Sequence, residues 1–181
     1  EHLAAAVDRL CAQAEAAVRD GAVILLLSDR FPGEGAIPVH ALLATGAIHL
    51  HLVHVGLRCD CNLIVETGTA RDAHHFACLI GYGATAVYPY LAYQTLFDLG
   101  RSGALKGKRG SERAELGRSY RRGIKKGLLK IISKMGIATI GSYRGAQLFE
   151  IVGLDRDVVD LCFTGTPSRI GGATFAQLQA E

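Results

Sequence analysis

The chain has 181 residues, a mass of 19.3 kDa and 49% apolar residues, which fits one domain or a piece of a larger protein and excludes a disordered chain. Its apolar runs are too short, or too often interrupted by histidine, to span a bilayer, so no membrane partner is expected. The net charge of +3 hides an asymmetry, because residues 101–134 carry twelve Lys/Arg against two Glu, a local +10 that leaves −7 for the rest.

The predicted elements alternate from the start of the chain. Apolar residues at helical spacing predict a first helix from His2 to Arg19. The apolar run AVILLL that follows predicts a strand buried on both faces. The stretch FPGEGAIP then has turn chemistry, and a second helix is expected to begin near Pro38 and to end near Gly56.

The same unit then repeats along the chain. A long helix is predicted from about Glu112 to Met135, where apolar residues keep one helical face. The other predicted strands are CDCNLIVE, ATAVYP and IATIGS, and the other predicted helices are ARDAHHFACLIG, YLAYQTLFDLG and YRGAQLFEIVG.

This alternation predicts an α/β fold with a mostly parallel sheet of about four strands, arranged as a Rossmann-like sheet or as part of a barrel. Residues 1–154 are assigned to the α/β domain, with a basic loop at 101–120. Residues 155–181 lose the alternation and are interpreted as a connecting arm.

Several polar residues follow the predicted strands, at the edge where parallel α/β sheets bind ligands. One interpretation is a ligand site built by Arg30, Glu66, Arg71 and Arg144, in a stand-alone enzyme or a phosphate-binding module. The favoured interpretation is that such residues cap the following helices and pair with one another. Neither the spacing of a dinucleotide loop nor that of a Walker loop is present.

No metal site is predicted from the histidines and cysteines. His49 and His51 lie on opposite sides of a helix, and Cys59 with Cys61 supplies only half of a zinc site. The adjacent His74 and His75 cannot both point to one site, although one of them could line a crevice. The five cysteines form no CxxC pair, which favours reduced thiols in the cytoplasm or a plastid stroma.

The basic segment 101–134 could bind nucleic acid, but aromatic residues other than Tyr120 are absent from it. A solvated face, or an interface with an acidic domain, is the favoured interpretation. No nucleic-acid partner is therefore expected.

Four long strings give the chain a specific resemblance. These are IPVHALLATGAIHLHLVHVGLR, LIVETGTARDAHHFACLIGYGATAVYPYLAYQTL, KKGLLKIISKMGIATIGSYRGAQLFEIVGL and FTGTPSRIGG. They closely resemble the central domain of the large subunit of glutamate synthase from about Val23 to Gly172, and the chain looks like an excised fragment of it. The segment from Arg101 to Tyr120 matches poorly.

The resemblance implies an enzyme that makes glutamate from glutamine and 2-oxoglutarate. An amidotransferase domain would release ammonia, which would travel through a tunnel to an FMN-binding domain. An iron–sulfur cluster would receive electrons from ferredoxin or from an NAD(P)H-oxidising small subunit.

The central domain would then be a non-catalytic link between these two domains and would help to wall the tunnel. No catalytic, cofactor-binding or metal-binding residue is carried over to this chain, and the fragment is expected to be inactive by itself. The residues expected to face the tunnel or a neighbouring domain are Arg30, Glu66, Arg71, His74, Ser142 and Arg144.

Overall fold

The computed structural model describes residues 2–105 and 112–180, in which helices and parallel strands alternate. The centre of the predicted basic loop, 106–111, lies outside the described residues. The helices are α1 (Leu3–Arg19), α2 (Ala41–His54), α3 (Ala73–Gly81), α4 (Tyr90–Ser102), α5 (Arg113–Lys134), α6 (Ile140–Tyr143), α7 (Arg156–Cys162) and α8 (Phe175–Ala180). The strands are β1 (Ile24–Ser28), β2 (Asn62–Glu66), β3 (Ala86–Tyr88), β4 (Ile151–Leu154) and β5 (Ser168–Ala173).

The described strands form two separate parallel sheets. The first has the order β1-β2-β3, with Leu26 opposite Ile64 and Ile64 opposite Ala86. The second contains β4 and β5 alone. The predicted α/β class with parallel strands is thus confirmed, whereas the single sheet of about four strands is replaced by sheets of three and two, and the described strands form no closed barrel.

One face of the three-stranded sheet is covered and the other is open. Leu25, Leu63 and Val65 are buried, and the first two lie in a core shared with α1 and α2. Ile24 and Leu26, which point the other way, are 57% and 61% exposed. The prediction that β1 is buried on both faces is therefore wrong. Strands in the order 1-2-3 with right-handed crossovers place both connecting helices on one face.

A second core lies between α3 and α5. Ile124 and Leu128 of α5 pack against a cluster that contains Phe76 and Leu79 of α3. A side chain at Gly127 would collide with the Cβ of Ala73, so the two helices touch at that point. The predicted apolar stripe of the long helix is confirmed.

The segment 137–154 differs from its prediction. IATIGS forms no strand, because Thr139 caps a short helix and accepts a hydrogen bond from the N–H of Ser142 at 3.4 Å. The helix predicted over YRGAQLFEIVG is also wrong: it gives way to irregular chain and then to β4. The β-branched residues of IATIGS favour a strand, but Thr139 caps a helix instead, and Gly141 lies within that helix.

The tail keeps regular structure, so the expected loss of alternation after residue 154 is wrong. Val158, Val159, Cys162 and Phe163 are buried, and α7 lies against α2. The two helices approach so closely that a Cβ at Gly46 would overlap the carbonyl oxygen of Cys162. The role of this segment as a connecting arm stays a prediction.

Candidate functional site

The carboxyl edge of the β1-β2-β3 sheet gathers the polar residues that follow β1 and β2. The carboxylate of Asp29 accepts hydrogen bonds from the Thr67 hydroxyl and from the N–H of Gly68, the latter at 3.0 Å. Thr67 is fully buried, and its Oγ1 lies 2.9 Å from Oγ1 of Thr69. Asp29 thereby fixes the turn after β2 to the end of β1.

Arg30 and Glu66 form an ion pair at the same edge. Nη1 of Arg30 lies 3.1 Å from Oε1 of Glu66, and Oγ of Ser28 donates to Oε2 of Glu66 at 2.6 Å. The Arg30 guanidinium also lies 5.2 Å from the ring centre of Phe31 and 5.3 Å from that of Tyr90. Both charged groups of the pair are therefore engaged with neighbouring side chains.

Arg71 and His74 lie near this edge but make separate contacts. The carbonyl of Arg71 accepts a hydrogen bond from the Tyr120 hydroxyl at 2.7 Å, and its side chain is exposed. His74 is an early residue of α3, where the Asp72 carboxylate caps its N–H at 2.9 Å. Its Nε2 lies 3.6 Å from Sγ of Cys78. Burial, and then Asp72, raise the pKa of Cys78, so this thiol stays protonated.

Ser142 and Arg144 do not join the cluster. Ser142 is an exposed residue of α6, with its Oγ 3.0 Å from Oγ1 of Thr139. Arg144 lies near His49 and Arg58, at the amino edge of the sheet, where burial lowers the pKa of both groups and the charge of Arg144 adds to that effect. The sequence predicts these residues at the end of a fourth strand, but the segment forms the short helix α6 instead. The four residues proposed for a ligand site thus divide between two edges.

Arg58 is the main residue that the sequence analysis missed. Its guanidinium donates to the carbonyl of Cys61 at 2.7 Å, to the carbonyl of Gly83 at 2.8 Å and to Nδ1 of His49 at 2.8 Å. It therefore ties the amino ends of β2 and β3 to α2. The detectable signal was an arginine in the short connection between the C-cap glycine Gly56 and the next strand.

His49 must be neutral to accept this hydrogen bond. Burial, followed by the charges of Arg58 and Arg144, lowers the pKa of His49 to about 4. The ring also lies against Gly83, whose φ of +114° and crowding by His49 leave no room for a side chain. This cluster is an internal support of the sheet.

A groove of about 1420 Å³ runs from the carboxyl edge along α1, α2 and β4. Glu66 and His74 are the two sequence-predicted site residues that line it. Most of the remaining wall is apolar and includes Leu3, Leu10 and Leu26.

The chemistry of these residues is that of a structural support. Asp29 and Glu66 each accept several hydrogen bonds from neighbouring residues of the described chain. In residues 2–105 and 112–180, no three His, Cys, Asp or Glu side chains are grouped to hold a metal ion. Burial raises the pKa of Cys11 to about 11 and that of Cys162 to about 12, so both thiols stay protonated near neutral pH.

Comparison with known proteins identifies the family. The family model described as "Glutamate synthase central domain" matches residues 1–155. The chain belongs to the glutamate synthase central domain family. The resemblance seen in the sequence is confirmed.

Curated relatives agree with the family model. The chain is 45% identical over 179 residues to "Glutamate synthase [NADH]" of Saccharomyces cerevisiae, covering 97% of this chain and 8% of that protein. It is 46% identical over 169 residues to "Glutamate synthase [NADPH] large chain" of Bacillus subtilis, covering 93% of this chain and 11% of that protein. It is 46% identical over 189 residues to "Ferredoxin-dependent glutamate synthase, chloroplastic" of Oryza sativa subsp. japonica, covering 97% of this chain and 11% of that protein.

The chain thus spans about a tenth of the length of these relatives. The names of these three relatives give three different electron donors, NADH, NADPH and ferredoxin. The chain is 45% or 46% identical to each of them. The central domain is therefore shared by glutamate synthases that differ in their electron donor. In the described part of the chain, no helix is long and apolar enough to cross a membrane.

Proposed function

We propose that this chain is a non-catalytic scaffold domain of a glutamate synthase, in the cytoplasm or a plastid stroma. It joins a glutamine amidotransferase domain to an FMN-dependent synthase domain and helps to wall the passage for ammonia. FMN, the iron–sulfur cluster and the docking of ferredoxin or an NAD(P)H-oxidising subunit then belong to other parts of the enzyme. The fragment by itself has no activity.

The observation that carries this proposal is the engagement of the candidate site by its own residues. Asp29 holds the turn at Gly68, and Glu66 accepts from both Arg30 and Ser28. A general base or an anion-binding arginine needs a lone pair or an N–H directed at a substrate. Here the side chains of Asp29, Glu66 and Arg30 bind neighbouring segments of the same chain, which is the role expected in a scaffold domain. Family membership supports the same conclusion.

The groove is the part of this domain best suited to border the ammonia passage. Neutral ammonia is protected from protonation where the wall is apolar, and Ala36, Ile37 and Phe149 line the groove. His74 lies on its wall, whereas Ser142 does not. The two residues were equal candidates in the sequence, and the structure makes His74 the better one to test.

The test uses the complete glutamate synthase that carries this domain, with His74→Trp and, as a matched control, Ser142→Trp. Turnover is measured with glutamine and with ammonium as the nitrogen source. We expect His74→Trp to reduce glutamine-dependent turnover about tenfold and to leave ammonium-dependent turnover unchanged, since only the passage is narrowed. Ser142→Trp should change neither rate. Equal loss of both rates in His74→Trp, or no loss, would contradict a place on the passage wall.

A further inference from the structure

The strand β1 has a free edge beside an open face. β1 pairs with β2 on one side, and within the described residues no strand pairs with its other side. Val23, Ile24 and Leu26 are 64%, 57% and 61% exposed. Parallel sheets normally have both faces covered, and an exposed apolar edge strand accepts a further strand.

The hydrogen bonds between β1 and β2 show which backbone groups face this edge. The N–H of Asn62 donates to the carbonyl of Val23 at 3.0 Å, and the N–H of Asp29 donates to the carbonyl of Glu66 at 3.2 Å. In a parallel pair, alternate residues bond to the same neighbour. The backbone groups of Ile24, Leu26 and Ser28 therefore point away from β2.

The position of α1 indicates where a missing strand would come from. α1 precedes β1 and packs on α2, on the covered face of the sheet. Glu15, near the end of α1, lies 2.7 Å from Nε2 of His51, near the end of α2, so α1 runs parallel to α2 and, like α2, begins at the carboxyl edge. A helix that begins there and leads into β1 has the position and direction of a right-handed β-α-β crossover.

We propose that the free edge of β1 binds a parallel strand that precedes α1 in the longer glutamate synthase polypeptide. That strand, α1 and β1 complete a third crossover beside the two that contain α2 and α3. Its backbone pairs with Ile24, Leu26 and Ser28, and its outward apolar side chains continue the row formed by Ile24 and Leu26. The relatives supply the length for such a segment, because this chain matches 8% to 12% of theirs.

This inference rests on the proposed function only in placing the chain within a longer glutamate synthase. It requires neither an ammonia passage nor any activity. Its test is therefore an amide-exchange measurement, whose outcome does not depend on turnover.

The experiment compares hydrogen–deuterium exchange of the peptide around residues 22–29 in the 181-residue chain and in the complete glutamate synthase. We expect three more amides, those of Ile24, Leu26 and Ser28, to exchange at least about 100-fold more slowly in the complete enzyme. Truncating the enzyme after residue 181 should keep this protection, and removing the segment before residue 1 should abolish it.

Each other outcome overturns the proposal in a distinct way. Unchanged exchange in the complete enzyme means that the edge is open there. Protection that needs the part after residue 181 means that another segment covers the edge. Protection that appears in the 181-residue chain as its concentration rises means that a second copy binds β1.

A proline variant separates edge pairing from simple shielding by a bulky neighbour. Leu26→Pro removes an N–H that faces the free edge and keeps the ladder with β2, whereas Leu25→Pro removes an N–H of that ladder. We expect Leu26→Pro to change the Tm of the 181-residue chain by no more than a few degrees and to abolish the slow exchange of Ile24 and Ser28 in the complete enzyme. Leu26→Lys, which keeps the N–H, is the second variant if the proline perturbs folding: strand pairing should keep the exchange of Ile24 and Ser28 slow in it, whereas shielding through apolar contact with Leu26 should be lost. Slow exchange that survives Leu26→Pro would indicate shielding without strand pairing.

Discussion

The two edges of the three-stranded sheet each hold an arginine, and the two arginines bind different kinds of partner. At the carboxyl edge, Arg30 pairs with the side chain of Glu66, and these side chains are 34% and 14% exposed. At the amino edge, Arg58 donates to the backbone of two loops and to His49. Surface ion pairs contribute little to stability, whereas buried carbonyls left without a donor are costly. Arg58 is therefore expected to stabilise the fold more than Arg30 does.

The largest expected effect follows from removing the guanidinium at the amino edge. Arg58→Met leaves the carbonyls of Cys61 and Gly83 without their donor and should lower the free energy of unfolding by about 3 kcal/mol. Urea denaturation of the 181-residue chain measures this difference. If the free energy of unfolding falls by less than about 1 kcal/mol, water replaces the Arg58 guanidinium as the donor to these carbonyls. The arginines of the two edges then contribute equally to stability.

Acid should weaken the amino edge through His49. Its pKa is about 4 in the folded chain, against an ordinary value of 6.5, so the unfolded state binds a proton first as the pH falls. The stability present above pH 6.5 is consequently lost as the pH falls towards 4. For this one group the loss between pH 8 and pH 5 is about 2 kcal/mol.

The matched control for this pH dependence is His49→Gln, which does not titrate and keeps an acceptor for Arg58. Glu15, whose pKa is lowered by hydrogen bonds from Arg19 and then His51, is present in both chains, so its own loss of stability in acid cancels. Urea denaturation of the two chains at pH 8, 6.5 and 5 gives the difference. Parallel curves for the two chains would show that His49 titrates with its ordinary pKa.

The smallest effect is expected at the carboxyl edge. Arg30→Met, the same replacement as at Arg58, removes a partly exposed ion pair and should cost less than about 1 kcal/mol. The methionine also removes the guanidinium from the rings of Phe31 and Tyr90, and this loss is part of the same small effect. Urea denaturation beside Arg58→Met supplies the direct comparison, and equal losses for the two variants would remove the distinction between the edges.

Most of the fold was predictable wherever apolar residues recur at the regular spacing of a helix or a strand. The helix before β1, the three strand–helix units and the stripe of α5 all follow from spacing that tertiary contacts reinforce. The prediction failed at IATIGS, where Ile and Thr favour a strand but Thr139 acts as an N-cap. It also failed for α7, whose N-cap Asp155 accepts from the N–H of Asp157 at 3.1 Å, because the polar residues of that segment resemble a loop.

The candidate site was predictable only in part. Arg30 and Glu66 lie at the predicted edge because Arg30 follows β1 and Glu66 ends β2, and the register of Ser28 with Glu66 brings the two strand ends together. Arg144 was misplaced because its strand does not exist. The role of Arg58 depends on the carbonyls of Cys61 and Gly83, which only the folded chain brings within its reach, and its place in the connection after Gly56 does not identify them.

The contact between Gly46 and Cys162 has a mechanical consequence. The carbonyl of Cys162 occupies the space that a side chain at position 46 would need, so α7 and α2 are in backbone contact at this point. Any side chain added at position 46 would push α7, and the strand β4 that precedes it, away from α2.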